Sequence, residues 1–163
     1  MLFSPLFVHF WRAVFEGDDA QLLKPAGAPA GRWHHSGQTA LYCSMQPEAC
    51  RVSINSFATA DDPRRMIHLI QVTADRIVDL RVPQIRDDLN TSLSDIHADW
   101  KEAQTSGQPA ATWQLSDRLR TLGAQGILSP SRSRPDLTHL TLFDWNSDTG
   151  ASVKTTKEQP LSF

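Results

Sequence analysis

The chain has 163 residues, enough for one compact domain, and 40% of them are hydrophobic, as in ordinary soluble proteins. Lys and Arg total 16 against 18 Asp and Glu, and this net charge of −2 argues against a nucleic-acid-binding protein, which usually carries a basic stripe. The chain has two cysteines and no uninterrupted apolar run of about 18 residues, so we expect a cytoplasmic protein with reduced thiols, no metal site and no membrane span.

The first third of the chain predicts two strands and a helix. Residues 6–15 mix β-branched and aromatic side chains, which favour a strand. A loop rich in Gly, Pro and Ala follows, and residues 39–43 predict a second, short strand. Ser44 stands where it can cap a helix that has Pro47 in its first turn and is predicted to run to about Phe57.

The middle of the chain predicts two more strands and a long helical segment. Residues 66–72 and 76–80 are rich in β-forming residues, and residues 73–75 are predicted to form the turn between them. Residues 84–104 are predicted to be mostly helical because large apolar residues recur at spacings of four, three and four, at Leu89, Leu93, Ile96 and Trp100.

The last third predicts one helix, one well-marked strand and a tail. The helix is predicted to run from Gln114 to Leu122 and to stop before Gly123. Residues 137–145 alternate between side chains of different character, which predicts a strand. The polar tail from about Asn146 is expected to be loosely ordered. Strands and helices do not alternate one by one, so the pattern favours a single α+β domain over residues 1–163 rather than a doubly wound sheet.

Common catalytic and nucleotide-binding motifs are absent. There is no phosphate loop ending in Gly-Lys-Ser/Thr, no G-x-G-x-x-G after the first strand and no G-x-S-x-G. His34 and His35 are adjacent, so on an extended segment their rings point to opposite faces. We therefore assign them surface or core roles rather than metal ligation.

Three short motifs remain, and their order along the chain is informative. Gly31-Arg32-Trp33 comes first, and Tyr42 follows Arg32 by ten residues on a strand that leads into the helix begun by Pro47. Gly126 later leads into Pro130-Ser131-Arg132 and an apolar strand. In order and spacing, this set resembles the RES-domain family, and the resemblance covers most of residues 10–145.

The resemblance implies a mixed, split β-sheet with flanking helices, similar to diphtheria-type ADP-ribosyltransferases, and NAD⁺ as the substrate. Arg32 would clamp a phosphate or ribose of the dinucleotide, since a guanidinium is a good bidentate donor. Tyr42 would stack on the nicotinamide ring. Ser131 would hydrogen-bond the ribose or pyrophosphate, and Arg12 and Arg132 are further candidates for phosphate contact.

One position departs from the family pattern. The family's glutamate lies eleven residues after the Tyr, and Ser53 stands there in this chain. A carboxylate at that point stabilises the oxocarbenium-like transition state, whereas a serine supplies no negative charge. Three explanations are open: a natural branch with altered chemistry, a variant without its catalytic carboxylate, or a relative that only binds its ligand.

The family resemblance also implies partners and a reaction class. Family members are toxins of bacterial toxin–antitoxin pairs, which implies a cognate antitoxin protein and an oligomeric complex with it. The implied reaction is cleavage of the nicotinamide–ribose bond, with transfer of ADP-ribose to a host protein or to water. An unrelated α+β enzyme with an accidental resemblance is the remaining alternative.

Overall fold

The computed structural model describes residues 1–163 and contains seven strands and five short helices. The strands are β1 (Ser4–Phe15), β2 (Leu41–Ser44), β3 (Arg65–Asp79), β4 (Gly126–Pro130), β5 (Thr138–Leu142), β6 (Ser152–Thr155) and β7 (Leu161–Ser162). The helices are α1 (Pro47–Asn55), α2 (Pro83–Asp88), α3 (Leu93–Ile96), α4 (Trp100–Thr105) and α5 (Ala111–Thr121), with a 3-10 turn at Asp19–Gln21. None of the helices has the length and apolar character needed to cross a bilayer.

All seven strands belong to one mixed sheet. Its order is β1-β2-β5-β4-β3-β6, with β7 also paired to β3. β3 and β4 are parallel and the other pairs are antiparallel. β1 also pairs with β3, so β1, β2, β5, β4 and β3 form a closed ring of pairings. The predicted α+β class with a mixed sheet is confirmed.

The two strands predicted at residues 66–72 and 76–80 are one continuous strand. β3 runs through the expected turn because β1 pairs with it there, Phe7 opposite Thr73 and Leu6 opposite Ala74. Ala74 is buried in the core, so the chain gains more from staying extended than from turning. The predicted turn was therefore wrong. Residues 73–75 favour a turn when they are considered alone, but pairing with a neighbouring strand overrides that local preference.

The helical segment predicted over residues 84–104 is three short helices. Asn90 has a positive φ of 53°, which ends α2. Ser92 then begins α3 with a capping box, and Asp99 caps α4. The predicted set of buried apolar residues is confirmed in part. Leu89 and Ile96 are buried, whereas Leu93 is 44% exposed.

The tail from Asn146 is part of the sheet, so the expectation of loose order was wrong. β6 pairs with β3 from Thr73 to Ile70, and β7 pairs with it at Ile67 and Met66. Val153 on β6 is only 3% exposed. The polar composition of this segment reflects solvent on one side of an edge strand, not an absence of structure.

Helix α1 begins at Pro47 as predicted but ends at Asn55. Its N-cap is Gln46, so the expected capping role of Ser44 was wrong. The Ser44 hydroxyl instead contacts the side chain of His139 on β5 at 2.8 Å. Phe57 lies beyond the helix and is 55% exposed.

The two faces of the central strands β2, β5 and β4 pack against different clusters. Cys43, Leu140 and Leu128 belong to a 14-residue apolar cluster on the inner face of the ring. The opposite face, here called the Tyr42 face, packs against a second cluster supplied by α3, α5 and the Trp33 loop. It carries alternate residues of the same three strands: Tyr42, Ser44, Ile127, Ser129, His139 and Thr141.

Candidate functional site

The Gly31–His34 loop is held tightly against Tyr42. The Gly31 N–H donates to the His34 carbonyl at 2.9 Å, and the Trp113 indole N–H donates to the Gly31 carbonyl at 2.8 Å. A Cβ at Gly31 would lie 2.7 Å from the His34 ring and 2.8 Å from the Tyr42 hydroxyl oxygen, so only glycine fits there. Trp33 is 1% exposed and packs within the second apolar cluster.

The Arg32 guanidinium is fixed by two backbone carbonyls. Nε and Nη2 donate to the Ile96 carbonyl at 3.2 and 2.7 Å, and Nη1 donates to the Pro130 carbonyl at 3.2 Å. A guanidinium has five N–H groups, so one on each terminal nitrogen remains free for a ligand. Burial lowers the pKa of Arg32 to about 10, so it stays positively charged at neutral pH.

The Tyr42 hydroxyl is fully used within the protein. It accepts the Trp33 backbone N–H at 3.0 Å and lies 2.7 Å from His34 Nδ1. His34 Nε2 lies 2.9 Å from the Ala28 carbonyl, which can only accept, so Nε2 carries the proton and Nδ1 accepts from the Tyr42 hydroxyl. Burial raises the pKa of Tyr42 to about 12. The hydroxyl is therefore not available to a ligand, and the partly buried ring packs against the second apolar cluster.

Ser131 and Arg132 lie next to the Arg32 anchor. Ser131 directly follows Pro130, is 2% exposed, and its hydroxyl accepts the Arg134 backbone N–H at 3.4 Å. Arg132 is exposed, and its guanidinium lies 3.5 Å from the Asp99 carboxylate. Its positive charge also lowers the pKa of Arg32, after burial and against the opposing effect of Tyr42, so the two cations lie near each other.

The Tyr42 face adds polar groups that sequence reasoning did not select. The Ser44 hydroxyl lies 2.8 Å from His139 Nδ1. The hydroxyl oxygens of Ser129 and Thr141 are buried and have no hydrogen-bond partner, and the same is true of His97 Nδ1. Burial, with a smaller contribution from the charge of Arg32, lowers the pKa of His139 to about 4. Buried hydroxyls without a partner are uncommon, and those of Ser129 and Thr141 lie beneath the second apolar cluster, where both residues are 0% exposed.

The balance of charge around the cluster is positive. Arg32 and Arg120 lie near enough to Tyr42 for their positive charges to act on its hydroxyl. Arg32 and Arg132 likewise act on the His97 ring, and Arg132 acts on Arg32. The acidic groups nearest to them are already engaged: Asp99 with Arg132, and Asp117 with His35 at 2.9 Å. Such a cluster attracts an anionic ligand such as a phosphate ester.

Comparison with known proteins identifies the family. A family model described as the RES domain matches residues 9–163. The chain belongs to the RES-domain family. Its fold is also similar to a chain in the crystal structure of the M. tuberculosis MbcT–MbcA toxin–antitoxin complex, with a TM-score of 0.68 and 20% sequence identity over 99% of this chain and 87% of that one. A search of curated proteins found no match.

Within this RES domain, Ser53 does not contact the Arg32–Tyr42 cluster. It lies on α1, one turn after the buried residues Ala49 and Cys50, but its side chain is exposed and makes no hydrogen bond. Its backbone carbonyl accepts the Ser56 hydroxyl at 2.7 Å. The carboxylate found beside the cluster is that of Asp99, which is paired with Arg132 at 3.5 Å.

Arg12 also lies apart from the other predicted site residues. Its guanidinium donates to the backbone carbonyls of Tyr42 and Lys24, at 2.8 and 3.3 Å. Its charge acts on the buried thiols of Cys43 and Cys50, so it lies on the inner side of β2 rather than on the Tyr42 face. The RES domain therefore brings together Arg32, Tyr42, Ser131 and Arg132, and leaves out Arg12 and Ser53.

Sequence reasoning did not select the His139–Ser44 contact, although the sequence held a signal for it. Residues 137–145 alternate, and polar side chains at His139 and Thr141 occupy one face of an otherwise apolar strand. Tyr42 and Ser44 have the same spacing of two on β2. What was missing was the pairing register that sets these two strands side by side.

Proposed function

We propose that this chain is the toxin of a bacterial toxin–antitoxin pair and that it uses NAD⁺ as its substrate. The reaction is cleavage of the nicotinamide–ribose bond, with ADP-ribose passed to a host protein or to water. The observation that carries the proposal is the fixed Arg32 guanidinium, with two free N–H groups, beside the ring of Tyr42 in a chain of the RES-domain family.

Each group of the cluster has a physical task in this reaction. The two free N–H groups of Arg32 donate to oxygens of the pyrophosphate, and the carbonyls of Ile96 and Pro130 keep them aimed. The Tyr42 ring stacks on the nicotinamide and limits its rotation, which favours the reactive orientation. Ser131 hydrogen-bonds the ribose or pyrophosphate, and Arg132 attracts the dinucleotide at the exposed rim.

The lack of the family glutamate favours transfer to a protein. Nicotinamide leaves with the electron pair of the C1′–N bond, and a nucleophile then bonds to C1′ and loses a proton. Water needs a base to activate it, and the carboxylate beside the cluster, Asp99, is engaged with Arg132 at 3.5 Å. An acceptor protein can bring its own nucleophile, so ADP-ribosylation of a host protein is the preferred form of the reaction.

Labelled NAD⁺ incubated with the purified protein and a bacterial lysate tests the proposal. We expect nicotinamide release and label on a protein band, and a loss of both in Arg32→Ala on the order of a hundredfold. Arg76→Ala is a matched control, because Arg76 donates to the Leu122 and Gly123 carbonyls just after the end of α5 and not to the Arg32–Tyr42 cluster. Neither labelled protein nor released nicotinamide from the wild-type chain would overturn the proposal.

A second candidate function is binding of NAD⁺ without turnover, which Ser53 in place of the family glutamate favours. Calorimetry with NAD⁺ and an assay for released nicotinamide separate the two. Binding of NAD⁺ with no released nicotinamide would support this second function, and release of nicotinamide by the purified chain would exclude it.

The proposed toxin acts in the cytoplasm and is held by a cognate antitoxin. The similar MbcT chain is part of a toxin–antitoxin complex, and we extend that assembly to this chain as part of the proposal. Co-expression with the product of the neighbouring gene should yield a co-purifying complex in which nicotinamide release is suppressed. A neighbouring protein that neither binds nor inhibits would contradict this part.

A further inference from the structure

A tight turn holds an exposed serine against a histidine, outside the groups assigned to NAD⁺. Residues 35–38 form the turn, which is closed by the Gln38 backbone N–H donating to the His35 carbonyl at 3.0 Å. Ser36 and Gly37 at its centre have positive φ angles of 51° and 78°. A serine seldom adopts this left-handed conformation, and here it holds the Ser36 hydroxyl 3.0 Å from His35 Nδ1.

The His35 ring is held on its other side by Asp117 of α5. Nε2 lies 2.9 and 3.0 Å from the two carboxylate oxygens. Burial raises the pKa of Asp117, but hydrogen bonds from Gln38 and His35 outweigh it and lower the pKa, so the carboxylate stays ionised. An ionised carboxylate only accepts, so Nε2 carries the ring proton. In the neutral ring, Nδ1 then accepts from the Ser36 hydroxyl.

Two further contacts keep His35 in this orientation. Its ring stacks on that of Trp113, with centroids 4.8 Å apart and planes at 20°. The Gln38 side chain accepts the His35 backbone N–H at 3.1 Å and donates to Asp117 at 2.7 Å. A hydroxyl bonded to a base, with the base oriented by a carboxylate, is the arrangement that activates a serine as a nucleophile.

A substrate can reach this arrangement from solvent. Ser36 is exposed, the His35 side chain is 24% exposed, and a Cβ at Gly37 would meet no atom within 4 Å. The backbone N–H groups of Ser36 and Gly37 make no hydrogen bond within the chain, so they can donate to a developing oxyanion. Trp113 and Trp100 are partly exposed, with ring centroids 6.1 Å apart, and add an apolar surface beside His35.

We propose that Ser36 is a nucleophilic serine, activated by His35 and oriented through Asp117, that takes the acyl group of carboxylic esters. The Ser36 oxygen attacks the ester carbonyl carbon while His35 Nδ1 takes the hydroxyl proton. The bond to the alkoxide then breaks, and the alkoxide receives that proton and leaves as the alcohol. Water attacks the acyl-serine with His35 as the base, which releases the carboxylic acid and restores the hydroxyl. This activity goes beyond the NAD⁺ reaction and uses none of the groups assigned to it.

Reaction with p-nitrophenyl acetate tests the proposal, because nitrophenolate leaves readily and its ring can lie on Trp113. We expect release of nitrophenolate and one acetyl group on the peptide that carries Ser36, located by mass spectrometry. Ser36→Gly should lose both, and the turn should persist because glycine adopts a positive φ without strain. His35→Phe keeps a ring to stack on Trp113 but has no base, so acylation should slow about a hundredfold or more.

Asp117→Asn tests the positioning role of the carboxylate. The amide has the same size but no charge, so acylation should slow by about tenfold or more. The ¹⁵N shifts of His35 should place the proton on Nε2 in the wild type and change in this variant, which a role in folding alone would not require. Ser152→Ala, at an exposed serine of β6 without a side-chain hydrogen bond, is the matched control and should react as the wild type does. Thermal melts establish that each variant is folded.

Two results would overturn the proposal. One is nitrophenolate release by the wild type that does not exceed that of folded Ser36→Gly. The other is acetylation spread over surface side chains, with no preference for Ser36 and no effect of His35→Phe. Nicotinamide release from NAD⁺ bears on neither result, because the two activities use different residues and different substrates.

Discussion

The two faces of β5 carry opposite chemistry on one backbone. Leu140 and Leu142 point to the inner face and are fully buried among apolar side chains. His139 and Thr141 point to the Tyr42 face, where one contacts Ser44 and the other has no partner. The inner face is closed off by the ring of strand pairings, whereas the Tyr42 face is covered only by loops and short helices.

This difference shows how one strand can fill one face for stability and keep polar atoms on the other. Hydrophobic burial is non-directional, so the closed inner face can be filled with leucine and isoleucine for stability alone. The Tyr42 face retains polar atoms that cost stability when they are buried without partners. Substitutions of neighbouring residues on β5 should therefore have different effects, and they provide the clearest tests of the comparison.

The largest expected effect is that of Leu140→Ala on stability. The side chain is 0% exposed in the inner cluster, so its removal leaves a cavity and should lower the free energy of unfolding by about 2–5 kcal/mol. Urea denaturation measures this change. ADP-ribose affinity of the folded variant should stay near that of the wild type, and a large loss of affinity with little loss of stability would contradict the division between the faces.

An intermediate effect on stability is expected from the protonation of His139 at acidic pH. Its folded pKa of about 4 lies below the usual 6.5, so the unfolded chain takes up the proton first as the pH falls. The contribution of His139 is thus fully present above pH 6.5 and is lost between pH 6.5 and 4, up to about 3 kcal/mol.

His139→Gln removes this contribution, so its stability should fall less than that of the wild type over the same pH range. Urea midpoints measured from pH 4 to 7.5 provide the comparison. His34 and His97, whose pKa values burial also lowers, remain in both proteins and contribute equally. Parallel pH profiles for the two proteins would show that His139 is not held neutral by its surroundings.

The smallest effect on stability is expected from Thr141→Val. Valine has nearly the same shape and removes a buried hydroxyl that has no partner, so the free energy of unfolding should be unchanged or rise by less than about 1 kcal/mol. Urea denaturation of the two proteins measures this difference. A clear loss of stability would mean that the hydroxyl has a partner in the folded protein after all.

Sequence reasoning predicted much of the local structure but missed the effects of distant partners. The alternation over residues 137–145 predicted β5, and Pro47 correctly marked the start of α1. The turn expected at residues 73–75 and the loose tail were wrong because β1 and β3 supply hydrogen bonds from far along the chain. Backbone pairing of this kind leaves little trace in local composition.

The candidate site shows the same limit. Gly31-Arg32-Trp33 and Tyr42 were identified from their order, and the close approach at Gly31 gives a steric reason for the glycine. Arg12 was selected by its charge and by its fit to the family layout, but β2 separates it from the Tyr42 face. His139 was overlooked because it is far from Arg32 in the sequence. In the fold, Arg32 lies near enough for its charge to act on the His139 ring.

The sequence by itself determined the family, the alternation of the strands and the residue types available for chemistry, because these depend on local pattern and motif order. Only the tertiary structure decided which polar residues meet. That outcome depends on strand register, and a shift of one residue would exchange Leu140 for His139 at the same face. The pairing of β2, β5 and β4 therefore turns scattered serine, threonine and histidine side chains into one surface beside Arg32 and Tyr42.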